Sequence, residues 1–568
     1  MLRAGLLTLA LVLLTAAPAR AAFDVTAFEV TPADTAAGAH ADVTIATSFT
    51  PYADGGEQPR NVTFHLPPGL AGDPFATPRC SEADYRADAC PAATKVGSVA
   101  ASAQAIVLGL PVHQDVTGDL YNLEPAGPEP ARLGAVLRPL GGLLGKLFVP
   151  TVIQARASDG GLDSLVTDLP TSSGGIQIYT ERMAFTLQGR PAGGTGPFMR
   201  NPTSCKPATS TVEASSYQQP TVVSKTASFT PTDCGALEFS PHIEGVVGAR
   251  GQTARRAKPP VRTVIAQGAE QAGQAAVTVL LPQIISADLT QLGRACPPDK
   301  VALRACPDSA RIGSVEAATP LLAKPLTGSV YFAAKPVGQL PGLVIQLDDP
   351  IPLRLEGAVE LSPTGIKTTF TGLPDVPLAR FALNLQGGAS GAFQLAADVC
   401  SASPPPAVAA TFVAQSGKQT SETRPLKLEG CTAPPRAWAK VTRLRGGRPR
   451  VVLGVAAADG APDLRTLRVL LPDALQVRPK RARRGVRART AGGQLARSAV
   501  KLSRDGDLRL TLPAGTRTVT ATLAKGAVRV GRKLRRARKP RRLAFRFLVA
   551  DADGPREAST LKVRPRRR

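Results

Sequence analysis

The sequence predicts an all-β protein: tandem Ig-like or β-sandwich modules, two of them duplicates stapled by disulfides, followed by a smaller basic β-sandwich. Three observations carry this reading. Short apolar or alternating segments are separated by Gly-, Pro- and Asp-rich turns, in a chain with 53 Gly and 52 Pro among 568 residues. An internal repeat carries all eight cysteines. The composition changes abruptly after Cys431.

The strand pattern is read from alternation, in which every second residue faces one side of a sheet. Met183-Ala-Phe-Thr-Leu187, Val330-Tyr331-Phe332, Leu343-Val-Ile-Gln-Leu347, Leu353-Arg-Leu-Glu-Gly357 and Ala382-Leu-Asn-Leu385 either alternate or run apolar, as strands do. Turn signals at intervals of roughly 8–15 residues favour sandwiches over long helices. Phe23 to Val30 and Ala41 to Ile45 read as the opening strands. A short helix is expected at Ser81-Glu-Ala-Asp-Tyr85, between two close cysteines, with a counterpart beginning at Pro297.

The repeat is an ordered series of matches. Cys80 and Cys90 are ten apart, as are Cys296 and Cys306. Cys90-Pro-Ala-Ala-Thr-Lys-Val-Gly-Ser-Val99 matches Cys306-Pro-Asp-Ser-Ala-Arg-Ile-Gly-Ser-Val315. Val62 to Pro67 matches Val277 to Pro282, Gly118-Asp-Leu-Tyr121 matches Gly328-Ser-Val-Tyr331, and Val166 to Pro170 matches Phe370 to Pro374. Cys205 and Cys234 answer to Cys400 and Cys431. The division that follows is residues 1–21 as signal peptide, 22–235 as the first β-module, 236–431 as its duplicate, and 432–568 as a basic β-rich domain. Two copies with four cysteines each imply bonds within a copy. The simplest pairing is Cys80–Cys90, Cys205–Cys234, Cys296–Cys306 and Cys400–Cys431, with crossed pairs inside a copy left open.

Cysteine usage and the N-terminus point to an oxidising compartment. Arg3, the apolar stretch Ala4 to Ala16 and Ala19-Arg20-Ala21 have the layout of a cleaved signal peptide. The apolar stretch is shorter than the ~20 residues that a membrane span needs, so no span is expected in the mature chain. The expected location is secreted, extracellular or associated with the cell envelope.

The charge is partitioned. Residues 432–568 hold 37 of the 69 Lys and Arg and 8 of the 43 Asp and Glu, a net charge of +29. Residues 1–431 carry a net charge of −3 within the chain's total of +26. The densest runs are expected in loops, with Arg481, Arg483, Arg484 and Arg487 in one, and Arg532, Lys533, Arg535, Arg536 and Arg538 in another. A one-sided run rich in Arg suits a polyanion, because the guanidinium fork can grip phosphate or carboxylate in a bidentate way. The basic runs contain no aromatic residue, which disfavours stacking on single-stranded bases. Anionic wall polymer or lipid headgroups are therefore the expected partner of this domain, and a protein partner is open for the β-modules.

No constellation for catalysis emerges. Gly388-Ala-Ser390-Gly-Ala392 lacks the register of a nucleophile elbow. Gly141 to Leu147 lacks the Ser or Thr that follows the lysine of a phosphate loop. Asp348-Asp349 reads as a turn, because the equivalent Leu137-Arg138 has no acid. The four His have no ligand spacing. No catalytic residue, metal site or cofactor is expected. The reading is a non-enzymatic surface protein, with the β-modules as spacer or interaction body. The alternatives are a secreted hydrolase of extracellular polymer and an extracellular nucleic-acid binder.

The Cys-Pro…Gly-Ser-Val repeat, together with Leu66-Pro-Pro-Gly-Leu70 and the Gly-x-[LV]-Tyr strand, resembles a group of secreted repeat proteins of high-GC actinobacteria with a basic β-rich tail. The resemblance covers most of residues 60–568 and implies a compartment outside the cytoplasm and no catalytic residue. The second module departs from it at Leu281-Pro-Gln-Ile-Ile285, which puts the turn type there in doubt.

Overall fold

The computed structural model describes residues 23–143, 145–336, 339–349, 351–431, 435–458, 461–531, 534–535, 541–551 and 554–566. The proposed signal peptide lies outside the described residues. The chain is all-β, with short helices only at turns and between close cysteines. Three large hydrophobic clusters fill residues 23–229, 239–428 and 437–563 in turn.

In the first of these regions a single antiparallel sheet runs through eleven strands. In spatial order they are Val25–Pro32, Val43–Phe49, Ile176–Leu187, Lys95–Val107, Leu110–Leu123, Ala131–Leu137, Leu147–Ala155, Leu162–Val166, Pro59–Leu66, Ala208–Ser216 and Val223–Phe229. The sheet rolls until its edges meet, with the Lys225 ammonium donating to the Thr26 carbonyl at 2.8 Å. The two faces of the sandwich are thus halves of one continuous sheet, a curvature that strand twist supplies.

The second region repeats this order strand for strand. The sequence is His242–Val247, Val261–Ala266, Arg380–Leu385, Arg311–Ala318, Leu326–Ala333, Gly342–Asp349, Leu353–Ser362, Gly365–Thr371, Gln274–Pro282, Ala407–Ala414 and Gln419–Pro425. Here the edges meet where Glu422 accepts from the backbone N–H of Ile243 at 2.8 Å. The strand Lys427–Leu428 adds to the edge in parallel. Ladder registers fix which residues correspond. Leu187 and Leu385 pair with Gly97 and Gly313, so the Val/Ile-Gly-Ser-Val motif occupies one place in both copies. A side chain on either glycine would strike the backbone carbonyl of the neighbouring strand, from Thr186 and from Asn384.

All four disulfides have the simplest pairing: Cys80–Cys90, Cys205–Cys234, Cys296–Cys306 and Cys400–Cys431. Inside the two short loops sit the helices Glu82–Arg86 and Pro298–Ala302. Ser81 caps the first by accepting from the N–H of Asp84, as a Ser at the N-cap does. Tyr85 fills the space under that loop, fully buried, and donates to the Ala135 carbonyl at 3.0 Å. Val301 takes its place in the second copy.

The copies also share one ion pair with its charges exchanged. In the first, Asp88 accepts from Arg138 at 2.5 Å and from Lys146 at 2.7 Å. In the second, Arg304 stands where Asp88 does and donates to Asp348 at 2.6 Å. Asp348 is thus the partner of the loop inside the cysteine pair.

The third region is a sandwich of two separate five-stranded sheets. One contains Arg436–Thr442, Arg450–Ala456, Thr518–Leu523, Val486–Thr490 and Gly493–Gln494. The other contains Val500–Leu502, Asp507–Thr511, Leu464–Leu470, Leu543–Asp551 and Gly554–Val563. Phe545 and Phe547 are fully buried between them.

Candidate functional site

Two features stand out: the basic end of the C-terminal sandwich, and an apolar cavity at the junction of the duplicated modules.

Strand direction decides where the basic runs go. Thr442, Arg450, Leu523 and Val486 lie at one end of their sheet. Leu470, Asp507, Leu543 and Val563 lie at the matching end of the other. The connections leaving that end are residues 443–449, 471–485 and 524–542 with the C-terminal residues after 563, and the N–H of Arg566 bonds the Val441 carbonyl at 2.8 Å. They carry Arg443, Arg445, Arg448, Arg478, Lys480, Arg481, Arg484, Lys525, Arg541, Arg542, Arg564 and Arg566, nearly all exposed. The acids on these connections are Asp473 and, on the neighbouring turn, Asp505. Asp463 and Asp551 belong to the opposite end.

Of the residues singled out from the sequence, Arg481 and Arg484 lie on the helix Pro479–Gly485, not in a loop. Pro479 in its first turn suits a helix start, and buried Ala482 anchors it. Arg487 is exposed on the strand Val486–Thr490. Arg535 packs along Gly447, and Arg481 and Arg448 both lie beside Gly526, which brings separate runs together. Arg483 is on the same helix, and its side chain lies outside the described residues. Arg532, Lys533, Arg536 and Arg538 also lie outside them. Among the described residues none of Arg445, Arg448, Arg481, Arg484 and Arg535 has an acidic partner within 4.0 Å.

The second feature gave no signal in the sequence. The modules lock together through Asp375, which is 6% exposed. Its carboxylate accepts from the N–H and the hydroxyl of Thr203, both at 2.6 Å, and the Thr203 oxygen accepts from the N–H of Gly273 at 2.9 Å. Burial pushes the Asp375 carboxyl pKa up. Arg200 donates to the carbonyls of Ala269 and Gln271 at 3.0 and 2.7 Å, and His40 meets Glu270 at 2.7 Å. Gly69 makes this approach possible. Its φ is +91°, and a β-carbon there would lie 2.6 Å from the Asp375 carboxylate and 2.7 Å from Pro202 Cα. The equivalent residue in the second module is Ile284, which packs into its own core. In the first copy the turn motif seats the second module's Asp375 against Gly69.

Beside this lock lies a cavity of ≈ 210 Å³. The inner face of the second module supplies most of its wall, including Val279, Ile345, Leu355, Phe370, Phe381 and Leu383. The first module supplies the rest, including Leu70, Ala131, Ile153, Arg156 and Leu162. Among the described residues no group of three or more His, Cys, Asp and Glu is placed to hold a metal ion, and no helix is long and apolar enough to cross a membrane.

No protein-family model matches the chain, and no curated relative does. Among solved structures, it is similar to the T6 backbone pilin of Streptococcus pyogenes at 6% identity and a TM-score of 0.19, over 89% of this chain and 77% of that one. The collagen adhesin of S. aureus matches at 8% identity and a TM-score of 0.17, over 56% of this chain and 95% of that one. The major pilin subunit of Bacillus cereus matches at 6% identity and a TM-score of 0.17, over 70% and 86%. Likeness at this level carries no argument about function. The four disulfides themselves fit a chain that matures in an oxidising compartment.

Proposed function

We propose that this is a secreted, non-enzymatic protein of the cell envelope or surface. The C-terminal sandwich docks it on anionic wall polymer or lipid headgroups, and the two rolled modules form the body that it presents. One observation supports the reading above the others: basic runs separated in sequence leave the same end of one sandwich. Charges gathered on one end add their potentials within a Debye length, about 8 Å at physiological salt, whereas charges scattered over the surface would not. Arg481, Arg484, Arg487 and Arg535 are the described residues chosen from the sequence for this role, and Arg445 and Arg448 join them through the fold.

Co-sedimentation of the full chain with purified wall fragments tests the proposal. Retention is expected to fall steeply between low and physiological salt. The combined variant Arg445→Glu, Arg448→Glu, Arg481→Glu, Arg484→Glu should lower affinity at least tenfold. Equal retention of that variant, with its melting temperature unchanged, would overturn the docking role.

A further inference from the structure

We infer that the cavity at the module junction is a binding site for a single aliphatic chain, held inside the second rolled sheet. Comparison of the two copies carries the inference. At the same place the first module has two small adjoining cavities, one between Val99, Ala135, Val149 and Phe185 and one beside Ala103 and Ile176, each only ≈ 50 Å³. The second module's is ≈ 210 Å³. A cavity of roughly 150 Å³ takes one benzene ring, so the larger has room for a ligand of that size and the smaller ones do not.

The difference has two structural causes. The first is strand length. In the first module the strands Lys95–Val107, Leu110–Leu123 and Ile176–Leu187 are 13, 14 and 12 residues long. Their counterparts Arg311–Ala318, Leu326–Ala333 and Arg380–Leu385 are 8, 8 and 6. The extra length places Ile178 and Thr180 over the first module's cavities. The second module's has no such cover, and the loop Leu373 to Leu378 and residues of the first module stand there instead.

The second cause is side-chain exchange. Equivalent registers set Val279 where the first module has Phe64, and Leu383 where it has Phe185. Phe64 and Phe185 meet edge to face at 6.0 Å in the first core. Larger residues at other positions, such as Phe370 for Val166, do not close the gap. Met183 and Val149 are 4% and 6% exposed. Their counterparts Phe381 and Leu355 are half-buried, so the wall stays open to entry.

The lining selects the ligand chemistry. Among the described residues that line the cavity, Arg156 is the one that carries a charge. Its guanidinium is already committed to Asp159 at 2.9 Å, to Asp163 at 2.5 Å and to the Leu66 carbonyl at 3.0 Å. No fixed charge is left for a headgroup, and what the site offers is hydrocarbon contact. A chain enters it for the free energy of removing apolar surface from water.

A free fatty acid and a lipid tail both carry this chemistry, and two arms separate them. Full-length protein is titrated with decanoate below its micelle concentration. It is also mixed with neutral phosphatidylcholine vesicles carrying a fluorescent acyl chain, on which the basic end exerts no net attraction. Saturable binding of one decanoate per chain assigns the free acid. Uptake of the labelled tail from vesicles assigns the lipid. Absence of binding in both arms would overturn the inference. Val279→Phe and Leu383→Phe, which copy the first module, should each weaken binding at least tenfold while the protein stays folded by far-UV circular dichroism. Val279→Phe and Leu383→Phe test the same cavity from different strands, so misfolding of one leaves the other decisive. Unchanged affinity in a folded variant would also overturn the inference.

Discussion

Replacing Asp375 by Ala removes the buried carboxylate that ties the second module to the first. Two hydrogen bonds are lost, from the N–H and the hydroxyl of Thr203, both at 2.6 Å. A hydrogen bond to a charged group contributes about 1.5–3 kcal/mol, so the gross loss is about 3–6 kcal/mol. Relief of the carboxylate's own desolvation offsets part of this, which leaves a net cost of about 3 kcal/mol. Thr203→Val removes the hydroxyl alone and should cost about 1.5 kcal/mol. In a unit of 150–250 residues each kcal/mol lowers the melting temperature by about 2–4 °C, so Asp375→Ala should lose about 6–12 °C. Calorimetry of the full chain with both single variants and the double variant measures the coupling. A coupling of at least about 1 kcal/mol is expected, because both substitutions act on one interaction. Additivity within about 0.5 kcal/mol would refute the claim that this contact locks the modules.

The exchanged ion pairs give a second test. Arg138→Ala should cost about 2 kcal/mol, since the Asp88 side chain is only 10% exposed. Arg304→Ala should cost under about 1 kcal/mol, since the Asp348 side chain is 58% exposed. Urea midpoints would show this order, and Arg304→Asp with Asp348→Arg together should restore what either alone removes. The pH dependence of the first pair follows from its sign. The Arg138 guanidinium holds the Asp88 carboxyl below its ordinary value of 3.8. Its stabilising contribution is therefore full above that value and lost as pH falls through the lower folded one. Urea midpoints of Arg138→Ala should then depend less on pH below 4 than those of the parent protein. Removing disulfides should follow loop length. In the chain-entropy view, separations of 10 and 31 correspond to about 2.7 and 3.7 kcal/mol. Replacing Cys400 and Cys431 by Ser should therefore lower stability more than replacing Cys296 and Cys306, and a reversed order in calorimetry would show that loop closure is not the dominant effect.

Much of this architecture was legible because it is written locally. Alternation placed the strands, since the side-chain period of a strand is two whatever it pairs with. The repeat located the two copies through a few motifs, and the cysteines have the simplest pairing that their duplication suggested. Other elements were read less fully. The run from Arg478 to Arg489 looked like a solvated loop, yet Pro479 and Ala482 turn half of it into a helix whose end joins a strand. Asp348-Asp349 looked like a turn between two strands, yet both residues end the strand Gly342–Asp349, where Asp348 meets Arg304. That partner is recognisable only when the copies are aligned and the charges are seen to have changed places.

By itself the sequence determined the all-β class, the duplication and the concentration of positive charge after Cys431, and it narrowed the disulfides to pairs within a copy. Each of these depends on residue type and short-range order. The tertiary structure alone decided three things: that each module is one rolled sheet with its edges in contact, that separated basic runs leave the same end of a sandwich, and that an apolar cavity opens beside the lock between Thr203 and Asp375. The physical reason is common to all three. They depend on the directions and lengths of strands far apart in the chain, and a cavity is a place where no side chain reaches, which no residue in the sequence marks.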